Sequence, residues 1–485
     1  MKIGVYNLYW TTFGGGEQQA FGVVDALTQQ HDIELLGPDR LDLDEARERL
    51  GARLDGVRFR QVHHDEYAAS LASMDYELFI NHTYRSTARN LSRRGLYFVM
   101  FPHELDLQST VNRVLRGAGG RLAAPVRVLG GVLSKQGESL MVGPVALQIH
   151  PDVRSVELEL RSVVPQPVTV VSAHRGATAT EVVVDGPTRI AVPVEDRLAI
   201  LGIDRMGEML DVADAIRITA LWVDGRKIAA SPQSITQRLV ATSNRSFLDT
   251  YDDISSNSEY TQEWTKRWWQ RDSVVITPPV RLRSPGHKEQ LIVSVGRFFG
   301  EQSGHSKRQL EMVQAFRRLI ERGATGWRLV LIGGCSAADR EYAMKVREAA
   351  AGLPVELRLS APGAVLDAHL AAASIYWHAA GFGADLQENP ERAEHFGIAP
   401  VEAMSAGAVP VVFDAAGPAS VVRHGVDGLK YRTLDELVDH TLRLIADEPW
   451  RAQLAEAARV RAKEYDLEHF DTKVRALVER VSRAD

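Results

Sequence analysis

Two glutamates, Glu394 and Glu402, lie eight positions apart in the stretch EHFGIAPVEAMSAGAVPVV. Gly397 and Pro400 lie between them and predict a turn that leads into a short helix, because proline suits the first position of a helix. The predicted helix runs from about Pro400 to Ala406 and has Glu402 in its first turn. Carboxylates accept hydrogen bonds from hydroxyl groups, so both acids are candidates for binding a polar ligand at this helix start.

The start of this helix also offers backbone N–H groups without partners inside the helix, and it carries the positive end of the helix dipole. Three such amides are candidates for holding a diphosphate, namely those of Phe396, Gly397 and Ile398. Glu402 would then accept hydrogen bonds from paired hydroxyls of the kind a ribose presents, and Glu394 from a second polyol such as a hexose. The alternative is that both acids only complement the helix dipole.

Two cations flank a strand–helix junction in SVGRFFGEQSGHSKRQ. Arg297 follows a predicted buried strand, and Lys307 precedes the next predicted helix. Open α/β sheets bind ligands at the carboxyl ends of their strands, and guanidinium and ammonium groups bind phosphate well. The pair is therefore a candidate phosphate site, against the alternative of two solvated surface charges.

A run of three glycines, Gly14 to Gly16, follows the first predicted strand and opens a helix. Glycine lets the backbone approach a ligand closely. Gly15 and Gly16 are candidates for contacting phosphate, although a plain tight turn has the same sequence. The spacing matches neither the GxxxxGK[ST] loop nor the GxGxxG fingerprint.

Both ends of the chain alternate predicted strands and helices, which is typical of parallel sheets covered by helices on both faces. The middle differs, because from about residue 140 to 232 apolar residues alternate with polar ones between frequent turns. We therefore predict an α/β fold with two Rossmann-like domains whose parallel sheets face a cleft, and an all-β sandwich-like insertion in the first. The first domain is expected to comprise residues 1–139 and 233–280, and the insert residues 140–232. The second domain is expected at 281–465, and it is followed by a C-terminal helix at 466–485 that packs back on the first domain.

The composition is that of an ordinary globular protein, with 45% hydrophobic and 25% charged residues. A net charge of −6 disfavours general nucleic-acid binding. The single cysteine excludes an intrachain disulfide, and neither a secretion signal nor a membrane span is recognisable in the sequence. We expect a cytoplasmic protein, with the inner face of the membrane as an alternative place.

Taken together, these motifs resemble the family-4 retaining glycosyltransferases, which have the GT-B fold. Residues 394–402 resemble the family's E-x7-E signature, and SVGRF…K at 294–307 resembles its Arg/Lys donor-phosphate pair. The tail AAGPASVVRHGVDGLKY at 415–431 is similar to the family's GGPxE-type tail, with Ala416 and Ser420 departing from it. The resemblance covers roughly residues 1–110 and 246–485 and leaves the insert out.

The resemblance implies roles for four residues of the second half. Arg297 and Lys307 would bind the donor diphosphate and neutralise the leaving group. Glu402 would hold the ribose of the nucleotide, and Glu394 would contact the hydroxyls of the donor sugar.

In the first half, the resemblance implies that Gly15 and Gly16 bring amides near the phosphates or the acceptor. His103, in FPHE, matches the histidine of the family's catalytic region and would contact the sugar or orient the acceptor. His378, in YWHAAGFG, would lie near the same cleft.

The activity implied is transfer of a hexose, with retention, from a UDP- or GDP-linked donor to a glycan, glycolipid or small-molecule acceptor. We expect no cofactor and no catalytic metal, because cations and amides would stabilise the leaving diphosphate. Two alternatives stay open, a related nucleotide-sugar enzyme and an inactive sugar-binding scaffold. For the insert, carbohydrate binding, dimerisation and buttressing of the first domain are all open, and Trp222 is expected in its core.

The segment 107–137 is basic and apolar and contains no acidic residue. Its cations are Arg113, Arg116, Arg121, Arg127 and Lys135. Such a segment fits either peripheral contact with an anionic membrane or a loop that closes over the acceptor. Its many glycines favour the loop.

Overall fold

The computed structural model describes residues 1–105, 125–135, 138–203, 215–228, 245–300 and 306–483. The chain divides into two compact units. The first comprises residues 1–255, 264–274 and 475–485, and the second comprises 256–263 and 275–474. The change from first to second unit at 274/275 lies close to the Pro278-Pro279 pair, which the sequence marks as a linker.

A seven-stranded sheet forms the α/β part of the first unit, in the order β16-β15-β5-β4-β1-β2-β3. Strands β1 to β5 pair in parallel. The strands are β1 (Lys2–Tyr6), β2 (Asp32–Gly37), β3 (Arg58–Gln61), β4 (Leu78–Asn81), β5 (Arg94–Val99), β15 (Asp253–Ser256) and β16 (Val274–Val275). The helices that join the first four are α1 (Gly15–Leu27), α2 (Leu43–Leu50) and α3 (Glu66–Ser73).

A nine-stranded antiparallel sheet interrupts this unit. Its strands are β6 (Val126–Leu129), β7 (Val132–Lys135), β8 (Glu138–Met141), β9 (Val145–Ile149), β10 (Val156–Ser172), β11 (Thr180–Val192), β12 (Leu198–Gly202), β13 (Ile216–Val223) and β14 (Arg226–Ile228). Strand β10 pairs with β11 on one side, and on the other side its first part pairs with β13 and its last residues with β12. The sheet begins at Val126, earlier than the boundary at residue 140 expected from the alternation.

The insert packs against the α/β part of the same unit through an apolar seam. The seam joins α3 and the segment before β5 to β9, β10 and β12, and its buried members include Leu71, Leu91, Ala146, Val171 and Ile200. Polar contacts reinforce it, since Arg89 donates to the carbonyl of Ala173 at 3.0 Å and Arg175 pairs with Asp252. The insert therefore buttresses the first unit, one of the three roles left open by its sequence.

Trp222 does not belong to the apolar core of the insert, contrary to expectation. It is half-buried, and the guanidinium of Arg189 lies 4.3 Å from the centre of its ring. Its register partner on β10 is Glu157, which forms an ion pair with Arg189. Trp222 thus lies on the polar face of the strand pair, where a cation covers the ring.

The second unit is built on a six-stranded parallel sheet, in the order β19-β18-β17-β20-β21-β22. The strands are β17 (Glu289–Val295), β18 (Arg328–Gly333), β19 (Val355–Leu359), β20 (Ala373–His378), β21 (Val409–Phe413) and β22 (Leu429–Tyr431). Its helices are α5 (Gln309–Glu321), α6 (Arg340–Ala349), α7 (Gly363–Ala372), α8 (Ile398–Ser405), α9 (Ala416–Val421), α10 (Leu434–Ala446) and α11 (Glu448–Ala462). The prediction of two Rossmann-like parallel sheets is confirmed.

Two further helices lie at the borders of the units, α4 (Glu259–Trp264) and α12 (Leu467–Arg483). The last part of α12, from Arg475 onward, groups with the first unit. Within that unit, Arg475 donates to the carbonyl of Ala26 at 2.8 Å, and Arg480 pairs with Asp253. The end of the chain is thereby tied to α1 and β15.

Candidate active site

The carboxyl edge of the second sheet carries the predicted cation and a histidine. Arg297 comes two residues after β17, and His378 is the last residue of the neighbouring strand β20. Parallel strands end at the same edge, which is where open α/β sheets bind ligands. Arg297 is exposed, with its guanidinium 5.6 Å from the centre of the Phe299 ring.

Lys307, Glu394 and His378 form one group. The Lys307 ammonium pairs with Glu394 Oε2, and His378 Nε2 lies 3.5 Å from the same oxygen. The imidazole is 5% exposed, and its Nδ1 has no hydrogen-bond partner among the described residues. The structure therefore brings two of the predicted site residues together and adds His378, which the sequence marked only weakly.

The charge state of this group follows from its contacts. Burial acts against the charge on Glu394, but Lys307 and His378 outweigh it and hold the pKa of that carboxyl well below its usual range. Burial lowers the pKa of His378 despite the neighbouring carboxylate. Near neutral pH the group therefore holds a carboxylate beside a neutral imidazole.

Glycine is required where the Lys307 side chain crosses the end of β17. A Cβ atom on Gly296 would lie 2.6 Å from Lys307 Cγ, and one on Gly333 would lie 1.9 Å from the carbonyl oxygen of Gly296. Both distances are far shorter than any real contact between such atoms. These two glycines let β17 and β18 end close together, with the Lys307 side chain packed over the end of β17.

The turn that carries Glu394 is fixed by a second close approach. The amide of Gly417 donates to the carbonyl of Glu394 at 3.0 Å, and a Cβ atom on Gly417 would lie 2.4 Å from the carbonyl oxygen of His395. Gly397 has φ +92°, a left-handed conformation that suits glycine. Ala416, which replaces the first glycine of the family's tail, also has a left-handed φ of +54°.

Helix α8 begins at Ile398, two residues before the predicted start, so Pro400 is its third residue and Glu402 lies in the second turn. Proline is tolerated there because the first turn of a helix has no internal partner for its N–H groups. Within the described part of the chain, no hydrogen bond is made by the amides of Phe396, Gly397 and Ile398. Three donors at a positive helix end thus begin two residues after Glu394.

Glu402 is buried, and its partner was not anticipated. Arg283 Nη2 donates to Glu402 Oε1 at 2.6 Å, and Arg283 Nη1 pairs with Asp367 on α7. Burial raises the pKa of Glu402, while Arg283 opposes that rise. The sequence VRLRS around Arg283 has no distinctive spacing, so only its proximity to α8 in the fold reveals it.

In the first unit, Gly15 and Gly16 form the start of α1 after the non-helical Gly14. Glu17, overlooked in the sequence, accepts hydrogen bonds from the amide of Gly14 at 2.9 Å and from the Thr12 hydroxyl at 2.6 Å. The amides of Gly15 and Gly16 have no hydrogen-bond partner in the described residues. The loop is therefore an ordered helix start with two unused donors.

His103 lies in the same unit, beyond the end of β5. Its carbonyl accepts from Trp269 Nε1 at 2.9 Å, and its ring stacks against Phe247. Burial and then the charge of Arg85 lower the pKa of His103 to about 4, and Nδ1 has no partner among the described residues. His103 is thus a neutral imidazole near pH 7.

Three other expectations concern the surroundings of the site. Most of the basic segment at 107–137 lies outside the described residues. Within them, no cluster of three or more His, Cys, Asp or Glu residues has metal-binding geometry. None of the described helices is long and apolar enough to cross a bilayer.

Comparison with known proteins finds a family match in the second unit. Residues 283–461 match the model of the glycosyl transferases group 1 family. This segment of the second unit is therefore similar to the glycosyl transferases of group 1. It contains the Lys307–Glu394–His378 group, Glu402 and Arg283.

Curated relatives match over about two fifths of the chain. The chain is 28% identical over 199 residues to a Xenopus laevis protein named GDP-Man:Man(3)GlcNAc(2)-PP-Dol alpha-1,2-mannosyltransferase, covering 38% of this chain and 37% of that protein. The human protein of the same name is 28% identical over 214 residues, covering 41% and 39%. The matches thus span about two fifths of the length of these relatives.

Solved structures match over nearly the whole chain. The Anabaena HepE structure with UDP has a TM-score of 0.56 at 11% identity, covering 99% of this chain and all of that one. Sucrose-phosphate synthase from Thermosynechococcus elongatus has a TM-score of 0.54 at 13% identity, covering 100% of both chains. The GT-B fold expected for the chain is therefore confirmed.

Proposed function

We propose that the protein is a retaining glycosyltransferase that moves a hexose from a nucleotide diphosphate sugar to a hydroxyl group of an acceptor. The observation that carries this proposal is the Lys307–Glu394–His378 group together with the unpaired amides of Phe396–Ile398, which begin two residues after Glu394. It lies inside the group 1 domain. One cation and three amides are suited to a diphosphate, and a carboxylate is suited to sugar hydroxyls.

The proposed chemistry is stabilisation of the leaving group. As the bond from the anomeric carbon to the β-phosphate oxygen breaks, negative charge develops on the diphosphate and positive charge on the sugar. Lys307 and Arg297 would neutralise the former, together with the amides at the start of α8. Such prearranged electrostatic stabilisation is commonly the largest catalytic contribution.

Glu394 would contact the donor sugar, and its partners explain how an acid can lie beside a diphosphate. Lys307 balances its charge before substrate binds. The neutral His378 leaves Lys307 as the only cation paired with this carboxylate in the described chain. Glu402 would bind the ribose, and His103, Gly15 and Gly16 would act on the acceptor side or at the phosphates.

The donor and the acceptor are proposed by class. The curated relatives are named for GDP-mannose and a dolichol-linked glycan, whereas the Anabaena neighbour is named with UDP and glucose. We propose a UDP- or GDP-linked hexose and a glycan or lipid-linked acceptor. A cytoplasmic location, contact with the inner membrane face and homodimerisation remain predictions from the sequence.

The test is a thermal-shift and donor-turnover screen with UDP, GDP, ADP and TDP and with the matching nucleotide sugars. We expect one of UDP and GDP to stabilise the protein, and slow release of that nucleotide from its sugar conjugate. Lys307→Ala and Arg297→Ala should abolish release. Arg432→Ala is the matched control, because its side chain is 77% exposed and pairs only with Asp414 across the described residues.

Two further measurements test the finer parts of the proposal. The anomeric configuration of the product, read from its one-bond carbon–hydrogen coupling, should equal that of the donor. Release should persist in EDTA, because cations and amides supply the charge stabilisation. No thermal shift with any of the four nucleotides would contradict the proposed function.

A further inference from the structure

Arg283 is a largely buried cation that contacts two acids on two helices. Its side chain is 12% exposed, that of Glu402 is 11% exposed, and that of Asp367 is 44% exposed. Glu402 lies on α8 and Asp367 on α7, so one guanidinium joins both helices. The backbone is held as well, because the Arg283 amide donates to Ser405 Oγ at 2.9 Å.

Ser405 completes this connection. Its hydroxyl donates to the carbonyl of Glu402 at 2.7 Å, within the same helix. Arg283 is therefore attached to α8 through its main chain at Ser405 and through its side chain at Glu402. Two attachments to one helix turn fix the direction from which the guanidinium approaches the carboxylate.

The contact between Arg283 and Glu402 uses only one carboxylate oxygen. Arginine commonly grips both oxygens of a carboxylate with two parallel N–H groups. Here Nη2 donates to Oε1, while Nε is buried without a partner among the described residues. The second oxygen, Oε2, makes no hydrogen bond with any described residue. One oxygen is held, and the other is left for a ligand.

We propose that Arg283 is a positioning residue that keeps Glu402 ionised and leaves its Oε2 available to the paired hydroxyls of the donor ribose. This inference rests on the proposed function, in which Glu402 binds the ribose. An ionised carboxylate accepts two hydroxyl hydrogen bonds, whereas a protonated one has lost part of that capacity. Without Arg283, a buried Glu402 would take up a proton or turn away.

The charged and titratable groups around Glu402 come from several elements. Arg283 and Arg281 precede β17, Asp367 lies on α7, and the buried Tyr376 lies on β20. Arg281 is exposed and acts only at a distance. Arg283 is the cation in contact with the carboxylate.

The first experiment compares nucleotides with and without the 2′-hydroxyl. Isothermal titration with UDP and 2′-deoxy-UDP, and with GDP and 2′-deoxy-GDP, gives a ribose preference for each variant. We expect the wild type to prefer the ribose form by roughly tenfold, since each lost hydrogen bond to a charged group weakens binding by about that factor. Arg283→Met should lower this preference to about twofold or less, and Arg283→Lys should restore part of it.

Arg281→Met is the matched control, because it removes a neighbouring arginine that makes no ion pair within the described chain, and it should keep the preference. In turnover assays, Arg283→Met should raise KM for the donor with kcat nearly unchanged. An unchanged ribose preference in Arg283→Met would overturn the inference and leave the proposed function intact. If the wild type binds neither nucleotide, the proposed function fails instead.

The second experiment tests the link between Arg283 and Glu402 without any ligand. Removing Arg283 should raise the pKa of the buried Glu402, so the folded state would hold a proton that the unfolded state releases. The Tm deficit of Arg283→Met relative to wild type should therefore grow from pH 5 to pH 8. In the double variant that also carries Glu402→Gln, the Tm deficit should no longer increase with pH. If the Tm deficit of Arg283→Met is the same at every pH, the inference is overturned.

Discussion

Single contacts explain how acidic residues can occupy the edge that we propose to bind phosphate. Glu394 is paired with Lys307, and Glu402 is paired with Arg283, so neither carboxylate presents an unbalanced charge. The two pairs differ in electrostatics, because the pKa of Glu394 is lowered and that of Glu402 is raised. This difference leads us to expect different effects when each acid is neutralised.

Glu394→Gln should lower turnover far more than nucleotide affinity. The change keeps the shape of the side chain but removes the charge that pairs with Lys307 and that, in the proposed function, accepts the sugar hydroxyls. We expect kcat to fall by roughly a hundredfold, as for loss of one electrostatic contact at a reacting centre. The Kd for UDP or GDP should change by less than about threefold, within 1 kcal/mol.

Glu402→Gln provides the comparison, since it should weaken binding of the bare nucleotide. Titration calorimetry and steady-state assays on both variants measure the two effects. The opposite pattern, with Glu394→Gln weakening the nucleotide and Glu402→Gln sparing it, would exchange the roles of the two acids.

A buried histidine should make stability depend on pH. His82, directly after β4, is 1% exposed, and both ring nitrogens lack partners in the described residues. Burial lowers its pKa to about 3. Between that value and the unfolded value near 6.5, the unfolded chain binds more protons, so the free energy of unfolding falls as the pH falls.

Between pH 7.5 and pH 5.0, we therefore expect the free energy of unfolding to fall by about 2 kcal/mol less in His82→Asn than in the wild type. This figure follows from about 1.4 kcal/mol per pH unit over the interval from pH 6.5 down to pH 5.0. Urea denaturation at the two pH values measures this difference. His64→Asn is the control, because the His64 side chain is 68% exposed. An equal pH dependence in wild type and His82→Asn would contradict the prediction.

At the scale of elements, turns and helix starts position the reactive groups more than the helices themselves do. The Glu394 turn, the start of α8 and the start of α9 interlock through the Gly417 amide and the backbone of His395 and Phe396. The site therefore depends on small residues that carry no chemistry.

Gly417→Ala should reduce turnover while leaving the protein folded. The added methyl would lie 2.4 Å from the Phe396 Cα, so the turn must move by a substantial part of an ångström. A displacement of this size at a positioned group costs roughly a hundredfold in rate. The control is Gly363→Ala at the start of α7, where nothing lies within 4 Å of the new atom.

Donor turnover and thermal denaturation, measured on both glycine variants, distinguish the outcomes. Normal turnover in Gly417→Ala would show that the turn tolerates the shift. A loss of turnover that Gly363→Ala shares would assign the effect to alanine substitution in general.

At the scale of the molecule, the insert is a part of the first unit rather than an appended module. Its apolar seam with α3 and its ion pair at Asp252 connect it to the α/β sheet. Changes at the seam should therefore destabilise the first unit, whereas changes on the outer surface of the insert should not.

Ile200→Asp and Val183→Asp form a matched pair on the insert. Ile200 is fully buried at the seam, whereas Val183 on β11 is 62% exposed. Burying an unpaired carboxylate should cost about 3 kcal/mol or more, and the exposed change should stay within about 0.5 kcal/mol. Chemical denaturation followed by intrinsic fluorescence measures both, and equal stabilities would show that the seam contributes little.

Much of the fold could be predicted from the chain itself. Alternation of apolar runs with amphipathic helices indicated both parallel sheets. Period-two alternation indicated the insert. These features are local, since they depend on which side chains a strand or helix must bury.

The candidate site was predictable where its residues share a short motif. Arg297, Lys307, Glu394 and Glu402 were found from their spacing and from their positions at strand and helix ends. Their nearness to a diphosphate site remains the proposal, but the pairing of Lys307 with Glu394 across 87 positions is a property of the structure.

Tertiary structure alone decided the partners of these residues. Arg283 reaches Glu402 across 119 positions, Gly417 supports the Glu394 turn, and Trp222 lies under Arg189 rather than in the core. The sequence determines which elements form because local burial and hydrogen bonding set them. Which charge balances which acid depends on how distant elements pack, and no periodicity of the chain records that.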